Sequence, residues 1–482
     1  MLFLILLCAS TYVYSSTGDT TMETKHIGHI VLITSPFYGH MIPILDFAKR
    51  LSTHHHVTYI VSASKLDMLR RRGFIEENEN ENNNSIRSKL NVIGLFDGNT
   101  NDYEATNFEA LNHIQQILDR MHKPLRKLLF PTHTRSSSST SSPSVSFATG
   151  LIQHPIDLII SDLFILPPVW EGQQRNIMAY LFVPNNLLAY LGYMSASVAK
   201  IKSGELGLDF DRLLHKTISV AKGLICNSIR ELDKQSLEDL RQQTVPGSNR
   251  PIFFVAPLMS DDLNQQQHIP NAGSITKWLD EQYEKANQKP SVIYVSFGSW
   301  AYLEPVQIKE IVRALKPYPF IWALKANLQT SISPSWIDKE RHLLLEWAPQ
   351  RLILSHPAIR LFISHGGWNS LLEGMSAGKP TLIWPLFGDQ IINGERLDYE
   401  LGMGRCLQNT ALTNGHKHVS SDELGRYIKE IFDQETNYVR KAQKVKQMMM
   451  RARDNSSQVD IMKIIKIVDN QISVRMNHRS EL

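Results

Sequence analysis

Cysteine is scarce. Three stand in 482 residues, Cys8, Cys226 and Cys406, too widely spaced for a Cys-x-x-Cys metal pair or a small disulfide framework. Neither sign of charge dominates: 51 basic and 47 acidic side chains leave +4. No basic run interleaved with aromatics occurs, which excludes the usual footprint of a nucleic-acid binder. Long hydrophobic runs are lacking as well. The apolar opening, residues 1–9 (MLFLILLCA), falls short of the roughly 20 residues of a spanning helix. The carboxyl end carries no apolar stretch of that length, so no C-terminal anchor is expected. Residues 1–21 read either as a secretory signal lacking a preceding basic residue or as an extension before a start at Met22. The first reading sends the chain to the secretory route and the ER lumen, where the sequons at Asn83 and Asn455 would matter. The second leaves it cytoplasmic, and both stay open.

What is present is ordinary globular composition, 42% hydrophobic and 20% charged, in a length that suits two or three domains. Short apolar runs alternate with helical patterns. Residues 29–34 (HIVLIT), 57–62, 157–161, 178–183 and 223–227 read as buried strands, and 43–52 as an amphipathic helix with Leu45, Ala48 and Leu51 on one face. Residues 76–84 and the Ser-rich 132–146 are polar surface loops. After a polar stretch without periodicity the rhythm resumes, with strands at 291–297, 320–325, 361–364 and 381–384. This is the βαβ pattern of two parallel sheets covered on both faces. The α/β fold expected has an amino-terminal domain at 22–258, a linker at 259–273, a second domain at 274–456 and a carboxyl-terminal segment at 457–482. Ligands in such sheets sit at the carboxyl ends of the strands.

The densest constellation runs from Trp347 to Gln390. Ile363-Ser364 end a strand, and His365-Gly366-Gly367 form a turn that lets backbone approach a ligand. Trp368-Asn369-Ser370 then open a helix reaching about Ala377, with Gly378 suited to its end. Exposed N–H groups at a helix start favour an anion such as a pyrophosphate, and His365 and Ser370 can add donors. Glu373 lies three residues beyond Ser370, on nearly the same side, where its carboxylate can accept both hydroxyls of a ribose. Taken singly, Ser370 reads as a helix cap and Glu373 as a solvated face; the whole string carries the argument. In the first half, His40 follows the first strand in Ser35-Pro36-Phe37-Tyr38-Gly39-His40, ahead of a helix beginning near Pro43. A histidine there is suited to take a proton near neutral pH. Asp162 follows Leu158-Ile159-Ile160-Ser161. It reads as a helix N-cap or as a carboxylate holding one imidazole nitrogen.

The 44 positions from Trp347 to Gln390 resemble the signature box of the UDP-glycosyltransferases, in the form found in plant secondary-product enzymes. Weaker likeness extends from His29 to about Val468. The resemblance implies two facing Rossmann-like domains of the GT-B type with a cleft between them. The second domain holds the nucleotide sugar and the first the acceptor, and the last helix crosses back onto the first domain. It implies that Trp347 stacks on uracil, that Ala348 offers backbone hydrogen bonds to the base, that Gln350 lies beside the ribose and that Glu373 binds its hydroxyls. His365, Asn369 and Ser370 hold the phosphates, joined by Ser299, while Trp368, Asp389 and Gln390 meet the sugar. Trp368 and Gln390 are what glucose users show, which favours UDP-glucose.

His40 matches the family's base in its Gly-His-x-x-Pro setting, and Asp162 matches the base's partner. The implied reaction is an inverting transfer of a hexose to a hydroxyl of a small lipophilic or phenolic acceptor. No cofactor or metal is implied, and the protein is expected to be a monomer. Two departures stand out. Gly366 occupies a position where plant members usually have Cys, with little effect expected. At Pro184-Asn185 related enzymes commonly place a Ser or Thr that touches the sugar; Asn185 or Asn186 substitutes.

Rival readings remain. Asp209-Phe210-Asp211 has the Asp-x-Asp form of metal-dependent glycosyltransferases, in what reads as an exposed helical stretch. A weakly catalytic UDP-sugar-binding protein on the same fold is the other alternative. His54-His55-His56 reads as a solvated loop, and Met448-Met449-Met450 as helix packing. Phe108, Tyr190 and Tyr193 suggest either a pocket for a flat acceptor or ordinary core.

Overall fold

The computed structural model describes residues 27–75, 89–96, 110–131, 152, 154–203, 209–242, 249–258, 270–299, 303–410 and 417–480, without the side chains of 110–119, 198–203, 209–210 and 478–480. Residues 1–21 and Met22, the stretches 76–84 and 132–146, Phe108 and most of the expected linker lie outside these.

Seven strands build the first sheet: β1 (His29–Ile33), β2 (His56–Ser62), β3 (Leu90–Leu95), β4 (Leu158–Asp162), β5 (Met178–Val183), β6 (Leu224–Cys226) and β7 (Ile252–Phe254). Six build the second: β8 (Val292–Ser296), β9 (Phe320–Ala323), β10 (His342–Leu345), β11 (Ile359–Ser364), β12 (Thr381–Ile383) and β13 (Gly404–Cys406). The orders are β3-β2-β1-β4-β5-β6-β7 and β10-β9-β8-β11-β12-β13, and every pairing is parallel.

Parallel strands need crossovers, and the crossovers cover both faces, so central strands are buried throughout and mostly apolar. In β1 all five residues are buried, and alternation decides which layer each enters. Val31 and Ile33 join a core with Met121, Leu125, Met194 and Leu214. Ile30 and Leu32 join another with Ile44 and Phe47 from the helix Tyr38–Ser52. That second core also takes Ile461, Ile464, Ile465, Val468 and Ile472 from the helix Ser456–Ser480. The end of the chain therefore completes the first sheet's packing. Gly28 lets it come close: a Cβ there would lie 2.5 Å from Val468 Cγ1.

Each sheet reverses its strand order once, between β1 and β4 and between β8 and β11. Loops leaving the two strands of such a pair diverge and open a crevice. Residues 34–40 and 162–166 leave the first crevice, and 297–299 and 365–367 the second. One expected boundary needs correction. The helix placed near Pro43 begins at Tyr38, so His40 stands in its first turn and not in a preceding loop.

Candidate functional site

At the first crevice, His40 Nδ1 lies 2.8 Å from Asp162 Oδ2. Asp162 is fully buried and collects further donors: the Ser35 hydroxyl at 2.9 Å, the Ser35 N–H at 3.2 Å, and the Phe164 N–H on its other oxygen at 2.8 Å. Burial alone would push this carboxyl up. The neighbouring His40 and these hydrogen bonds outweigh it and hold the group below its usual value. An ionised carboxylate only accepts, so Nδ1 carries the hydrogen and, in the neutral ring, Nε2 carries the lone pair. Phe164 stacks on the imidazole at 4.9 Å, and Phe37 meets it edge-on at 5.6 Å. Sequence reading missed both phenylalanines, although Phe164 sits only two residues beyond Asp162.

His40 and all eleven candidates from the second half (Ser299, Trp347, Ala348, Gln350, His365, Trp368, Asn369, Ser370, Glu373, Asp389 and Gln390) line one cleft of about 570 Å³. Asp162 stands behind His40, off its surface. The helix Trp368–Ala377 starts from Gly367 and ends on Gly378 at φ +68°. Its unpaired first N–H groups are the local source of positive potential. His365 packs under two glycines: a Cβ on Gly298 would lie 2.7 Å from its Nε2, and one on Gly367 2.4 Å. Burial pushes the His365 imidazole down to about 4, so at neutral pH it offers an N–H and no cation. Gly366 sits at φ +85°, and a Cβ there would lie 2.8 Å from Ile383 Cγ2. Both the positive φ and the nearby Ile383 side chain favour glycine at this position.

Gln350, Ser370 and Glu373 form one hydrogen-bonded set. Gln350 Nε2 donates to Glu373 Oε2 at 2.7 Å and to Ser370 Oγ at 3.1 Å. Arg351 Nε donates to Glu373 Oε1 at 2.9 Å. Arg72, from the first half, holds its guanidinium over Trp347 at 5.7 Å and over Tyr38 at 5.3 Å.

Trp368 and Asn369 are committed to the opposite wall, and Asp389 and Gln390 to neighbours on their own. Trp368 is 4% exposed, and its indole N–H donates to Asn227 O at 2.6 Å, so any ligand contact is made without that donor. Asn369 donates to Gly39 O at 2.5 Å and accepts from Asn227 Nδ2 at 2.8 Å. Gln390 Oε1 accepts the Leu386 and Phe387 N–H groups at 2.8 and 3.1 Å, which holds the loop before it. Burial raises the Asp389 carboxyl, opposed by the Asn393 amide at 2.7 Å. Of the two asparagines left open, Asn185 lines the cleft, while buried Asn186 bonds Asn393 at 2.7 Å and Ala189 N at 2.8 Å.

The remaining motifs resolve differently. Asp211 accepts the Tyr193 hydroxyl at 3.0 Å, and the Asp209 side chain lies outside the described residues. Among the described residues no group of three or more His, Cys, Asp or Glu is placed to hold a metal, and no helix is long and apolar enough to cross a membrane. The expected solvated loop at His54-His55-His56 is corrected. His55 is fully buried, because the Gly28 N–H bonds its Nδ1 at 3.3 Å and the last helix brings Asp469 to 3.7 Å. His56 opens β2 and stacks on His154 at 4.4 Å. Tyr190 is core, and Tyr193 is 38% exposed.

Residues 256–462 match the family model of UDP-glucoronosyl and UDP-glucosyl transferase. A flavonol 7-O-beta-glucosyltransferase of Arabidopsis thaliana is 25% identical over 444 residues, covering 84% of this chain and 92% of that protein. An anthocyanidin 3-O-glucosyltransferase of Solanum melongena is 32% identical over 228 residues, 45% of this chain and 48% of its own. Among solved structures, Medicago truncatula UGT71G1 complexed with UDP-glucose superposes with a TM-score of 0.67 at 21% identity, over 92% of this chain and 98% of that one. Arabidopsis thaliana UGT89C1 complexed with UDP-L-rhamnose gives 0.70 at 23%, over 92% and 100%. These structures share the two facing Rossmann-like domains of the GT-B fold. The matched model spans β8 to β13 and the turns between them, so the likeness reaches one whole wall of the cleft as well as the architecture. Residues 256–462 are thus a UDP-glycosyltransferase domain, and this chain is a glycosyltransferase.

Proposed function

We propose that the protein transfers glucose from UDP-glucose to a hydroxyl of a small, lipophilic, planar acceptor, with inversion and without a metal. The observation that carries this reading is the His40–Asp162 pair at 2.8 Å, set across the cleft from the Trp347–Gln390 wall. Nε2 of His40 takes the acceptor proton. Asp162 holds the ring through Nδ1 and stabilises the imidazolium as it forms. The acceptor oxygen then forms its bond to the anomeric carbon as the bond to the UDP oxygen breaks, from the opposite face. Charge growing on the leaving diphosphate falls at the start of the helix Trp368–Ala377, where Ser370 and neutral His365 add donors. Trp347 stacks on uracil, and Glu373 accepts the ribose hydroxyls.

Glucose is favoured by Trp368 and Gln390 and by relatives named as glucosyltransferases. A planar acceptor is favoured by Phe37, Phe74 and Phe164 on the acceptor side of the cleft and by relatives named for flavonol and anthocyanidin substrates.

The test is UDP release from UDP-glucose with a panel of phenols, flavonoids, sterols and terpenoid alcohols, with EDTA and His40→Ala alongside. Acceptor-dependent release that survives EDTA and disappears in His40→Ala is the expected result. Release abolished by EDTA would turn attention to Asp209 and Asp211. UDP-glucose binding without product from any acceptor would favour a carrier.

A further inference from the structure

We infer that Arg351 is a positioning residue for the nucleotide: it aligns the Glu373 carboxylate with the ribose and ties it, through Asp46, to the helix that carries the base. The inference rests on the reading of Glu373 as the ribose acceptor. Arg351 is the second residue of the helix Gln350–Ser355 and lines the cleft. Its Nε donates to Glu373 Oε1 at 2.9 Å, and its Nη2 to Asp46 Oδ2 at 2.5 Å. Asp46 belongs to the helix Tyr38–Ser52, further along from His40. One planar guanidinium thus bridges carboxylates from opposite walls of the cleft, 305 and 22 positions away in sequence.

The geometry of the acceptor argues for the role. A carboxylate offers about four lone-pair sites, two on each oxygen. Arg351 occupies a site on Oε1 and Gln350 one on Oε2, which leaves a site on each oxygen for a pair of vicinal hydroxyls. A carboxylate held at both oxygens no longer rotates, so the ordering it would lose on binding a diol is already lost. The Glu373 and Asp46 side chains are only 13% and 10% exposed. Without the cation between them, two shielded negative groups would be left facing the cleft without its charge. A lysine could supply the charge but not the planar fork that reaches both.

The test is calorimetric binding of UDP and of 2′,3′-dideoxy-UDP to the intact protein and its variants. Two hydroxyl bonds to a charged acceptor make UDP the tighter ligand by on the order of 100-fold. Arg351→Leu is expected to cut that preference by about tenfold, weakening UDP far more than the dideoxy nucleotide, with Arg351→Lys in between. Asp46→Asn keeps Arg351 on Glu373; it is expected to weaken both nucleotides severalfold and to preserve the preference. If Arg351→Leu weakens both nucleotides equally, or neither, the positioning role is wrong. If Arg351→Leu does not fold, Asp46→Asn decides: unchanged UDP affinity overturns the link between the walls. Glu373→Gln separates the premise. A full ribose preference in that variant removes the ribose reading itself, whereas its loss there and retention in Arg351→Leu defeats the Arg351 proposal alone.

Discussion

Asn369 and Gly39 meet across the cleft, the Asn369 amide donating to the Gly39 carbonyl at 2.5 Å. That carbonyl is available because of Pro43. Inside the helix Tyr38–Ser52, residue 43 would normally donate its N–H to residue 39, and proline has none to give. The freed acceptor becomes an attachment point for the helix that starts the opposite wall. Pro43→Ala returns a competing N–H. The helix is expected to gain stability while the tie to Asn369 weakens, with KM for the donor rising severalfold. Steady-state kinetics beside thermal denaturation separate the two effects.

The His40–Asp162 pair predicts losses of rate that donor binding does not share. His40→Ala removes the proposed proton acceptor and is expected to lower kcat by about 10²–10⁴-fold. Asp162→Asn leaves the ring in place with its preferred tautomer unsupported and should fall in the same range. UDP release at saturating donor measures both, and donor affinity should change little in either variant. A drop in binding that matches the drop in rate would contradict the assigned roles.

Arg396 and Asp233 form an almost wholly buried ion pair, 2.7 Å apart and 5% and 0% exposed. Asp233 also accepts the Leu187 N–H at 2.9 Å, and Arg396 donates to Leu232 O. Arg396→Met strands a buried carboxylate and is expected to cost about 3–5 kcal/mol. Adding Asp233→Asn should recover part of that. Denaturant midpoints of the single and double variants provide the check.

Gly366→Cys would install the residue that the resemblance leads one to expect there. At φ +85° and with Ile383 2.8 Å from the new Cβ, it is expected to destabilise the protein by about 1–3 kcal/mol. A thermal midpoint equal to the parent's would show that the turn relaxes freely.

Acid should weaken the fold through His29. Its ring is 3% exposed, bonded to Thr58 Oγ1 at 2.8 Å and to His154 O at 3.0 Å, and burial pushes it down from 6.5 to about 4. Between those values the unfolded chain takes up a proton that the folded chain refuses. Stability from this group is therefore complete above pH 6.5 and falls as pH drops toward 4, by up to about 1.4 kcal/mol per pH unit. His365, pushed down to about 4 by burial, acts in the same direction. His29→Gln should flatten the dependence of the thermal midpoint on pH over that range.

By itself the sequence determined the parallel sheets, because strands buried on both faces are apolar along most of their length, as 30–33 in β1 and 292–295 in β8 are. It also determined where the candidate residues would stand, since His40, Asp162, Ser299 and the His365 turn are all at strand ends or follow them. Local pattern carries that much. It misplaced the start of the helix at Tyr38, because proline within the helix looked like its beginning. It misread His55, because burial there comes from the last helix, over 400 residues along the chain. Only the tertiary structure decided which side chains are spent on the opposite wall: the Trp368 N–H on Asn227, Asn186 on Asn393, and Arg351 between Glu373 and Asp46. Periodicity reports which face of an element is apolar. The partner of a polar group is set by which distant element folds against it, and that is fixed only when both sheets have packed.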